Sequence, residues 1–192
     1  MTNVSATDRR PSKRERTLAA LVEHGLDLFE RQGYDRTTVA QIAGAAGVTE
    51  MTFFRYFPAK EHLLLDDPYD PQLTAAIAEQ PRELPPFLRA ARGIREAWRA
   101  LPEPETPIIR RRVRIAAGTP SLRGAMWRNT GNTERAIVEQ LVADGASPDV
   151  ARVAAASVLA ALVAGLFLWA EDERTTLADA IERALDVIEV RS

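Results

Sequence analysis

Apolar residues recur every three or four positions along almost the whole chain, which is the spacing of one face of an α-helix. The first apolar stripe spans residues 18–29 and follows Ser12, which forms an S-x-x-E capping-box pattern with Glu15. Gly33 comes directly after the stripe and is typical of a helix C-cap. The sequence has no run of alternating β-branched residues. The pattern therefore predicts an all-α fold of about nine helices.

Two short helices are predicted next, over about 38–45 and 49–57, with a turn at Gly47 where a positive φ costs little. Thr49 is a natural N-cap for the second helix. The residues expected to lock the two helices together are Val39, Ile42, Ala43, Val48, Phe53 and Phe57. Such a pair forms a helix-turn-helix, which offers its second helix to the major groove of DNA.

A fourth helix is expected from Lys60, kinked by Pro68 and Pro71. Further prolines and caps divide the remainder into helices near 86–101, 108–117, 120–144, 148–170 and 176–188. The predicted organisation is a flexible basic arm over 1–12, a helix-turn-helix domain over 13–59 and a larger helical domain over 60–192.

Composition narrows the function classes. The 192 residues include no Cys and 2 His, which excludes disulfides and thiolate metal sites and leaves little for imidazole ones. The formal net charge of −2 provides no global positive field, so any contact with nucleic acid must be local. The sequence has no P-loop, H-E-x-x-H or G-x-S-x-G motif. We therefore expect neither an enzyme nor a cofactor.

One uncharged run, residues 153–170, is the only candidate for a membrane span. It is rich in Ala and shorter than the roughly 20 strongly apolar residues that a bilayer requires. A buried helix–helix interface is the favoured interpretation. No secretory signal is visible, so a cytoplasmic location is expected.

The stretch TTVAQIAGAAGVTEMTFFRYFPAKEHLL, residues 37–64, resembles the DNA-binding domain of the TetR family of bacterial transcriptional regulators. The positions that match the family pattern are Gly47, Val48, Thr49, Thr52, Phe53, Tyr56, Phe57 and Lys60. Two positions depart from it: Phe54 replaces a common Tyr, and Met51 replaces a Gly or small residue. No operator sequence can therefore be transferred from a relative.

The resemblance implies contacts between the second helix-turn-helix helix and double-stranded DNA. Glu50 would lie at a base edge, accepting from a cytosine amino group, and Met51 would lie on a thymine methyl. Arg55 would contact phosphate or solvent, and Thr49 lies on the same outer surface. The positions expected at phosphates are Thr38, Thr52, Tyr56 and Lys60.

The N-terminal arm has two interpretations. Residues 9–16 include five basic side chains and one acidic one. An arm with Arg9, Arg10, Lys13 and Arg14 could reach the minor groove or the backbone of DNA. Alternatively, it is a solvated tail.

For the larger domain, the resemblance implies a small-molecule pocket and a homodimer interface. The bulky or polar pocket candidates are Phe87, Ile94, Trp98, Met126, Trp127, Thr130, Phe167 and Trp169. The apolar dimer candidates are Ala155, Val158, Leu159, Leu162, Leu166, Ile181, Leu185 and Ile188. Alternatively, the pocket candidates lie on a helix face that is partly exposed to solvent. The dimer candidates could instead be buried in the core of a single chain.

An Arg-rich run, Arg110–Arg112 with Arg114, would suit an anionic ligand, but a solvated charged face is the simpler interpretation. Arg outnumbers Lys 23 to 2 in the chain, which a GC-rich bacterial gene explains.

Together these patterns predict a homodimeric repressor that binds a palindromic operator and leaves it when a small molecule binds. The alternative is a helical small-molecule-binding or scaffolding protein without specific DNA readout.

Overall fold

The computed structural model describes residues 12–65, 70–100 and 106–189. These residues contain ten α-helices and one 3-10 helix, and no strand. The all-α prediction is confirmed, with one helix more than expected. The chain divides into two compact units between Leu63 and Leu64, four residues beyond the expected boundary at 59/60.

The first unit is built around one long helix and three short ones. Their bounds are α1 (Lys13–Gln32), α2 (Val39–Ala45), α3 (Glu50–Phe54) and α4 (His62–Leu65), and the division between the units lies within α4. The predicted capping box at the start of α1 is present: Ser12 Oγ accepts from the Glu15 N–H at 3.2 Å, and the Ser12 N–H donates to the Glu15 carboxylate. These bonds also lower the pKa of Glu15.

The core of the first unit follows the predicted stripe of α1. Leu21, Val22, Leu26 and Phe29 are buried, whereas Leu18, one turn earlier, is exposed. The residues from later parts of the unit that complete this core are Ile42, Ala43, Phe53, Phe57 and Leu63. Burial of this apolar surface is the main force that holds such short helices in place, because a two-turn helix has little stability of its own in water.

The second unit consists of six further helices. They are α5 (Asp70–Ala78), α6 (Pro86–Ala100), α7 (Thr106–Ala117), α8 (Arg123–Ala143), α9 (Pro148–Glu171) and α10 (Leu177–Ile188), with a 3-10 turn at Pro120–Leu122 before α8. Helix α9 packs against α6, α7, α8 and α10 and so lies at the centre of the unit. Helices α5 and α6 approach closely at Gly93, where a Cβ would lie 2.5 Å from the Ile77 Cα.

The helix boundaries differ from the prediction at two places. Helix α3 ends at Phe54 rather than near Phe57, and the residues after it form a turn. The expected single fourth helix is two helices, α4 and α5, and Pro71 lies in the first turn of α5, where a missing N–H is tolerated. Pro68, the other expected kink, lies outside the described residues.

Helix α9 is the one described helix that is long and apolar enough to cross a membrane by length and composition. The core helix of a water-soluble protein satisfies the same criterion. Seven of its residues, among them Ala155, Val158 and Trp169, are buried inside the unit. This agrees with the expected use of the helix in helix–helix packing.

Candidate nucleic-acid interface

Helices α2 and α3 are joined by a short turn with well-defined caps. Thr38 begins α2 with a capping box, in which its Oγ1 accepts from the Gln41 N–H at 3.2 Å and Gln41 Oε1 accepts from the Thr38 N–H at 2.9 Å. Gly47 has φ +68°, as its predicted role in the turn requires. Thr49 caps α3 by accepting from the Thr52 N–H at 3.2 Å. The geometry is that of a helix-turn-helix.

The inner surfaces of this pair pack as predicted. Ile42, Ala43, Phe53 and Phe57 are buried, and Val39 and Val48 are half-buried. The rings of Phe53 and Phe57 lie 5.5 Å apart, centroid to centroid. This packing fixes the direction in which the five-residue α3 presents its outer side chains.

The outer surface of α3 combines polar and apolar side chains. Met51 is 78% exposed and Phe54 is 51% exposed, both unusual for large apolar residues. The other predicted contact residues on this surface are exposed (Thr49, Glu50, Arg55) or half-buried (Thr52, Tyr56). The Thr49 and Thr52 hydroxyls are 3.1 Å apart, and the Tyr56 hydroxyl donates to the Arg14 carbonyl at 3.5 Å.

Lys60 has a structural role that sequence reasoning missed. Its Nζ donates to the carbonyl oxygens of Tyr34 and Thr37, each at 2.9 Å, and lies 4.0 Å from the centroid of the Tyr34 ring. Burial lowers the pKa of the ammonium, against the opposing effect of the Asp35 and Glu61 carboxylates. Lys60 also precedes α4 instead of starting it. Two of its three N–H groups therefore hold the connection between α1 and α2, and these bonds compete with the predicted phosphate contact.

Further polar contacts hold the same connection. The buried Thr37 hydroxyl donates to the Gly33 carbonyl at 2.8 Å, and Gln32 Nε2 donates to Thr37 Oγ1 at 3.1 Å and to Gln41 Oε1 at 3.0 Å. The end of α1 is thereby bonded to the start of α2. The Tyr34 hydroxyl donates to Glu61 at 3.5 Å, and burial together with the nearby Glu61 carboxylate raises the pKa of Tyr34.

Two family models match the chain in agreement with this geometry. The model for bacterial regulatory proteins of the tetR family matches residues 21–66, and the model for the MftR C-terminal domain matches residues 84–191, more than half of the chain. The chain belongs to the TetR family of bacterial transcriptional regulators. These proteins bind DNA through the helix-turn-helix that the first unit contains.

Individual TetR-family relatives extend the similarity over nearly the whole chain. The mycofactocin biosynthesis transcriptional regulator MftR of Mycobacterium tuberculosis is 28% identical over 185 residues, covering 92% of this chain and 91% of its own. The solved structure of NalD, the secondary repressor of the MexAB-OprM multidrug efflux pump in Pseudomonas aeruginosa, is 27% identical with a TM-score of 0.58. That likeness covers 92% of this chain and 95% of NalD.

Similarity to TcmR of Streptomyces glaucescens is higher but local. It reaches 48% identity over 56 residues, which are 29% of this chain and 25% of TcmR. The chain thus matches about a quarter of the length of that relative. The function of TcmR as a whole is therefore not transferred to this chain.

The basic residues expected in the N-terminal arm of this TetR-family protein divide into two pairs. Lys13 and Arg14 are exposed residues in the first turn of α1 and not part of an arm, and their contact with DNA stays a prediction. The Ser12 cap explains the difference, because it starts the helix before them. Arg9 and Arg10 lie outside the described residues.

The residues predicted to line a pocket in the TetR-family ligand domain largely belong to the core of the second unit or pack against it. Ile94 and Trp169 are buried, and Phe87 and Trp98 pack against the same core. Met126 and Phe167 are half-buried, and Thr130 donates its hydroxyl to the Met126 carbonyl at 3.0 Å. The side chain of Trp127 is not among those that the structure describes.

The second unit contains a cavity that is lined by other residues. It encloses about 590 Å³ between α6 and α10, and its residues are Arg92, Arg95, Glu96, Arg99, Asp186 and Glu189. Arg95 is held there by ion pairs to Glu182, Asp186 and Glu189. The lining is therefore charged, whereas the sequence-based candidates are mostly apolar.

The Arg-rich run of α7 stabilises the end of α9. Arg110 donates to the backbone carbonyls of Trp169, Asp172 and Thr175 at 2.7–2.9 Å. Arg114 donates to the Ala170 carbonyl at 3.2 Å and pairs with Glu173 at 3.3 Å. Neither residue is simply part of a solvated face, and their contacts provide no support for an anionic ligand.

Four of the predicted dimer residues are part of the core of the single chain. At most 4% of the surface of each is exposed, for Ala155, Val158, Ile181 and Leu185. The prediction that these four residues contact a second chain at the dimer interface is therefore wrong. Both sides of α9 are apolar, and periodicity alone could not show which side its own chain covers. The other four, Leu159, Leu162, Leu166 and Ile188, are half-buried against this core.

Proposed function

We propose that this TetR-family regulator is a homodimeric repressor that binds a palindromic operator and releases it when a small molecule binds the second unit. The outer surface of α3 is the observation that carries the proposal. This surface is short, rigidly packed and exposed, and it presents Glu50 and Met51 for base edges, with Thr38, Thr52 and Tyr56 around them for phosphates.

Repression, as opposed to activation, is supported by the likeness to NalD. NalD is described as a repressor, and it matches this chain over nearly the full length of both proteins. A protein that occupies the major groove at a promoter and leaves on ligand binding needs no further contact with the transcription machinery. A cytoplasmic location, without membrane attachment, follows from this role.

The proposed dimer uses the exposed side of α9. Its members recur at three- and four-residue spacing and are Val153, Ser157, Ala160, Ala164 and Leu168. We refer to these five residues as the α9 outer face. Small side chains allow two helices to approach closely, and the 69% exposed Leu168 and 67% exposed Val153 supply apolar area. Two-fold symmetry would match that of a palindromic operator.

The proposed effector site is the charged cavity between α6 and α10. Its volume of about 590 Å³ lies in the range that small-molecule sites occupy. Arg92, Glu96 and Glu189 contribute both signs of charge to its wall, which favours a polar effector over a purely apolar one. A ligand that binds more tightly to one conformation of the dimer would shift its population toward that conformation.

Selection of random duplex DNA on the purified full-length protein tests the DNA-binding part of the proposal. We expect enrichment of a palindrome with half-sites about one helical turn apart, or a multiple of it. A plot of the logarithm of the affinity for the enriched duplex against the logarithm of the salt concentration should have a slope of about −0.9 for each neutralised phosphate.

Two matched variants make the test specific. Glu50→Ala should change the enriched bases, whereas Glu79→Ala, an exposed carboxylate of the second unit, should leave them unchanged. Absence of any enriched sequence with folded protein free of co-purified ligand would refute specific DNA binding. It would favour the alternative of a ligand-binding or scaffolding protein.

A further inference from the structure

Large apolar side chains are concentrated at the exposed surface of α3. Among the described residues of the first unit, the exposed large apolar ones are Leu18, Met51 and Phe54, and two of these three lie within the five residues of α3. Met51 and Phe54 are three positions apart, so they are neighbours on one side of the helix. We call this pair the Met51–Phe54 surface.

Packing inside the chain does not account for Phe54. Its neighbour Phe53 fills the core and is fully buried, and the ring of Phe54 stands edge-on to it, with centroids 5.6 Å apart at 86°. This contact orients the Phe54 ring and leaves half of it in water. Two large apolar side chains exposed side by side form a small patch that is available for contact with a partner.

The major groove offers one kind of apolar partner. Among the base edges, only thymine presents a methyl group there, and apolar side chains recognise it by direct contact. Phenylalanine has no hydroxyl to donate to a phosphate, so the exposed ring is suited to such an apolar contact.

We propose that the Met51–Phe54 surface recognises two thymine methyl groups in each operator half-site, with Phe54 as a specificity-determining residue. This inference rests on the proposed DNA-binding function. Residues three apart on a helix have Cβ atoms about 5–6 Å from each other. Successive base pairs are about 3.4 Å apart along the duplex. The two thymines should therefore lie one or two base-pair steps apart.

Base-analogue substitution in the selected duplex tests this inference on the wild-type protein. Each thymine is replaced in turn by uracil, which removes only the methyl group, and affinity is measured by fluorescence anisotropy. We expect a three- to fivefold weakening at two positions of each half-site, about the effect of one buried methyl-sized group.

Variants then assign each methyl group to a side chain. Phe54→Ala should abolish the thymine–uracil difference at one position, and Met51→Ala should abolish it at the other. Leu18→Ala, which removes an exposed apolar side chain from α1, should preserve both differences. Phe54→Leu keeps an apolar side chain and should reduce the thymine–uracil difference at that position without abolishing it. This variant replaces Phe54→Ala in the test if the alanine variant folds poorly.

The outcomes separate this inference from the proposed function. If a palindrome is enriched but uracil substitution changes affinity nowhere, the methyl contacts are refuted and DNA binding stands. If the thymine–uracil difference persists undiminished at every position in the folded Phe54→Ala variant or, should that variant not fold, in Phe54→Leu, the role of Phe54 is refuted. If no sequence is enriched at all, the proposed function itself fails.

Discussion

The guanidinium of Arg110 lies over the indole ring of Trp169, with its Cζ 4.3 Å from the ring centroid, and donates to the carbonyl of the same residue at 2.7 Å. The two residues are on α7 and α9, 59 positions apart. Two more bonds, to the Asp172 and Thr175 carbonyls, satisfy oxygens where α9 ends. A cation at this position also interacts favourably with the helix dipole.

Loss of these bonds should destabilise the second unit. Arg110→Ala removes the guanidinium donor from three carbonyl oxygens, of which that of Asp172 still accepts from the Thr175 N–H, and should lower the free energy of unfolding by about 2–3 kcal/mol. Arg110→Lys retains the charge without the planar set of donors and should recover only part of this loss. Urea unfolding followed by circular dichroism measures both. Arg128→Ala, on the exposed side of α8, should be nearly neutral. If Arg110→Ala and Arg128→Ala lowered the free energy of unfolding equally, the role assigned to Arg110 at the end of α9 would be wrong.

A buried ion pair supports a second prediction. The Arg89 side chain is 2% exposed and donates to the Ile77 and Ala78 carbonyls, while its Nη2 lies 2.7 Å from the Asp144 carboxylate. Asp144→Ala would leave a buried guanidinium without its counter-charge and should cost about 3–5 kcal/mol. Arg82 contacts the same carboxylate at 3.5 Å from the exposed surface, so Arg82→Ala is the matched control. Its cost should stay below about 1 kcal/mol.

The helix-turn-helix could be predicted from sequence because its signals are local. The Thr49 cap, the Gly47 turn and the buried Phe53 all lie within seven residues of one another. The contacts of Lys60 and Arg110 could not be predicted, because their carbonyl partners are 23–26 and 59–65 positions away along the chain. No spacing rule indicates which distant backbone oxygen a cationic side chain will meet.

The dimer candidates show a different limit. Helix α9 has apolar or small residues on nearly every side, so its periodicity does not distinguish the side that faces α6, α8 and α10 from the outer one. The two sides are distinguished only by burial in the folded unit, for example the buried Val158 against the exposed Leu168.

The α9 outer face can be tested by introducing a charge. Ala164→Glu places a carboxylate in the proposed interface, where the two-fold axis would bring it near its own copy, and should convert the dimer to a monomer. Ala40→Glu introduces the same charge at an exposed position of α2 and should remain dimeric. Light scattering after size exclusion gives the mass of each. A dimeric Ala164→Glu variant would place the interface elsewhere.

Acid should weaken the turn between α9 and α10. Hydrogen bonds from the guanidinium and the backbone N–H of Arg174 lower the pKa of Asp172 from 3.8 to about 2. A carboxyl whose pKa is lowered on folding stabilises the protein above its unfolded pKa, and this contribution is lost as the pH falls through the folded value. Asp172→Asn should therefore lower Tm at pH 7, and its difference from wild type should shrink between about pH 4 and pH 2.

Thermal unfolding across that pH range measures the Asp172 effect. Glu171→Gln removes a neighbouring exposed carboxylate that takes no part in these hydrogen bonds, and it controls for the change in net charge. An Asp172→Asn difference that is constant from pH 7 to pH 2 would show that the carboxylate contributes nothing specific.

Lys60 distinguishes two ways of supporting DNA binding. A lysine that neutralises a phosphate contributes about 0.9 to the slope of log affinity against log salt concentration, which we call the salt slope. A lysine that only holds the protein backbone contributes nothing to it. Because its Nζ is bonded to the Tyr34 and Thr37 carbonyls, Lys60→Met should weaken operator binding and lower Tm with the salt slope unchanged. Arg55→Ala, which removes an exposed cation next to α3, should instead reduce the slope with little change in Tm if Arg55 contacts a phosphate. A Lys60→Met slope that falls by about one, at unchanged Tm, would mean that the ammonium leaves these carbonyls for the phosphate when DNA binds.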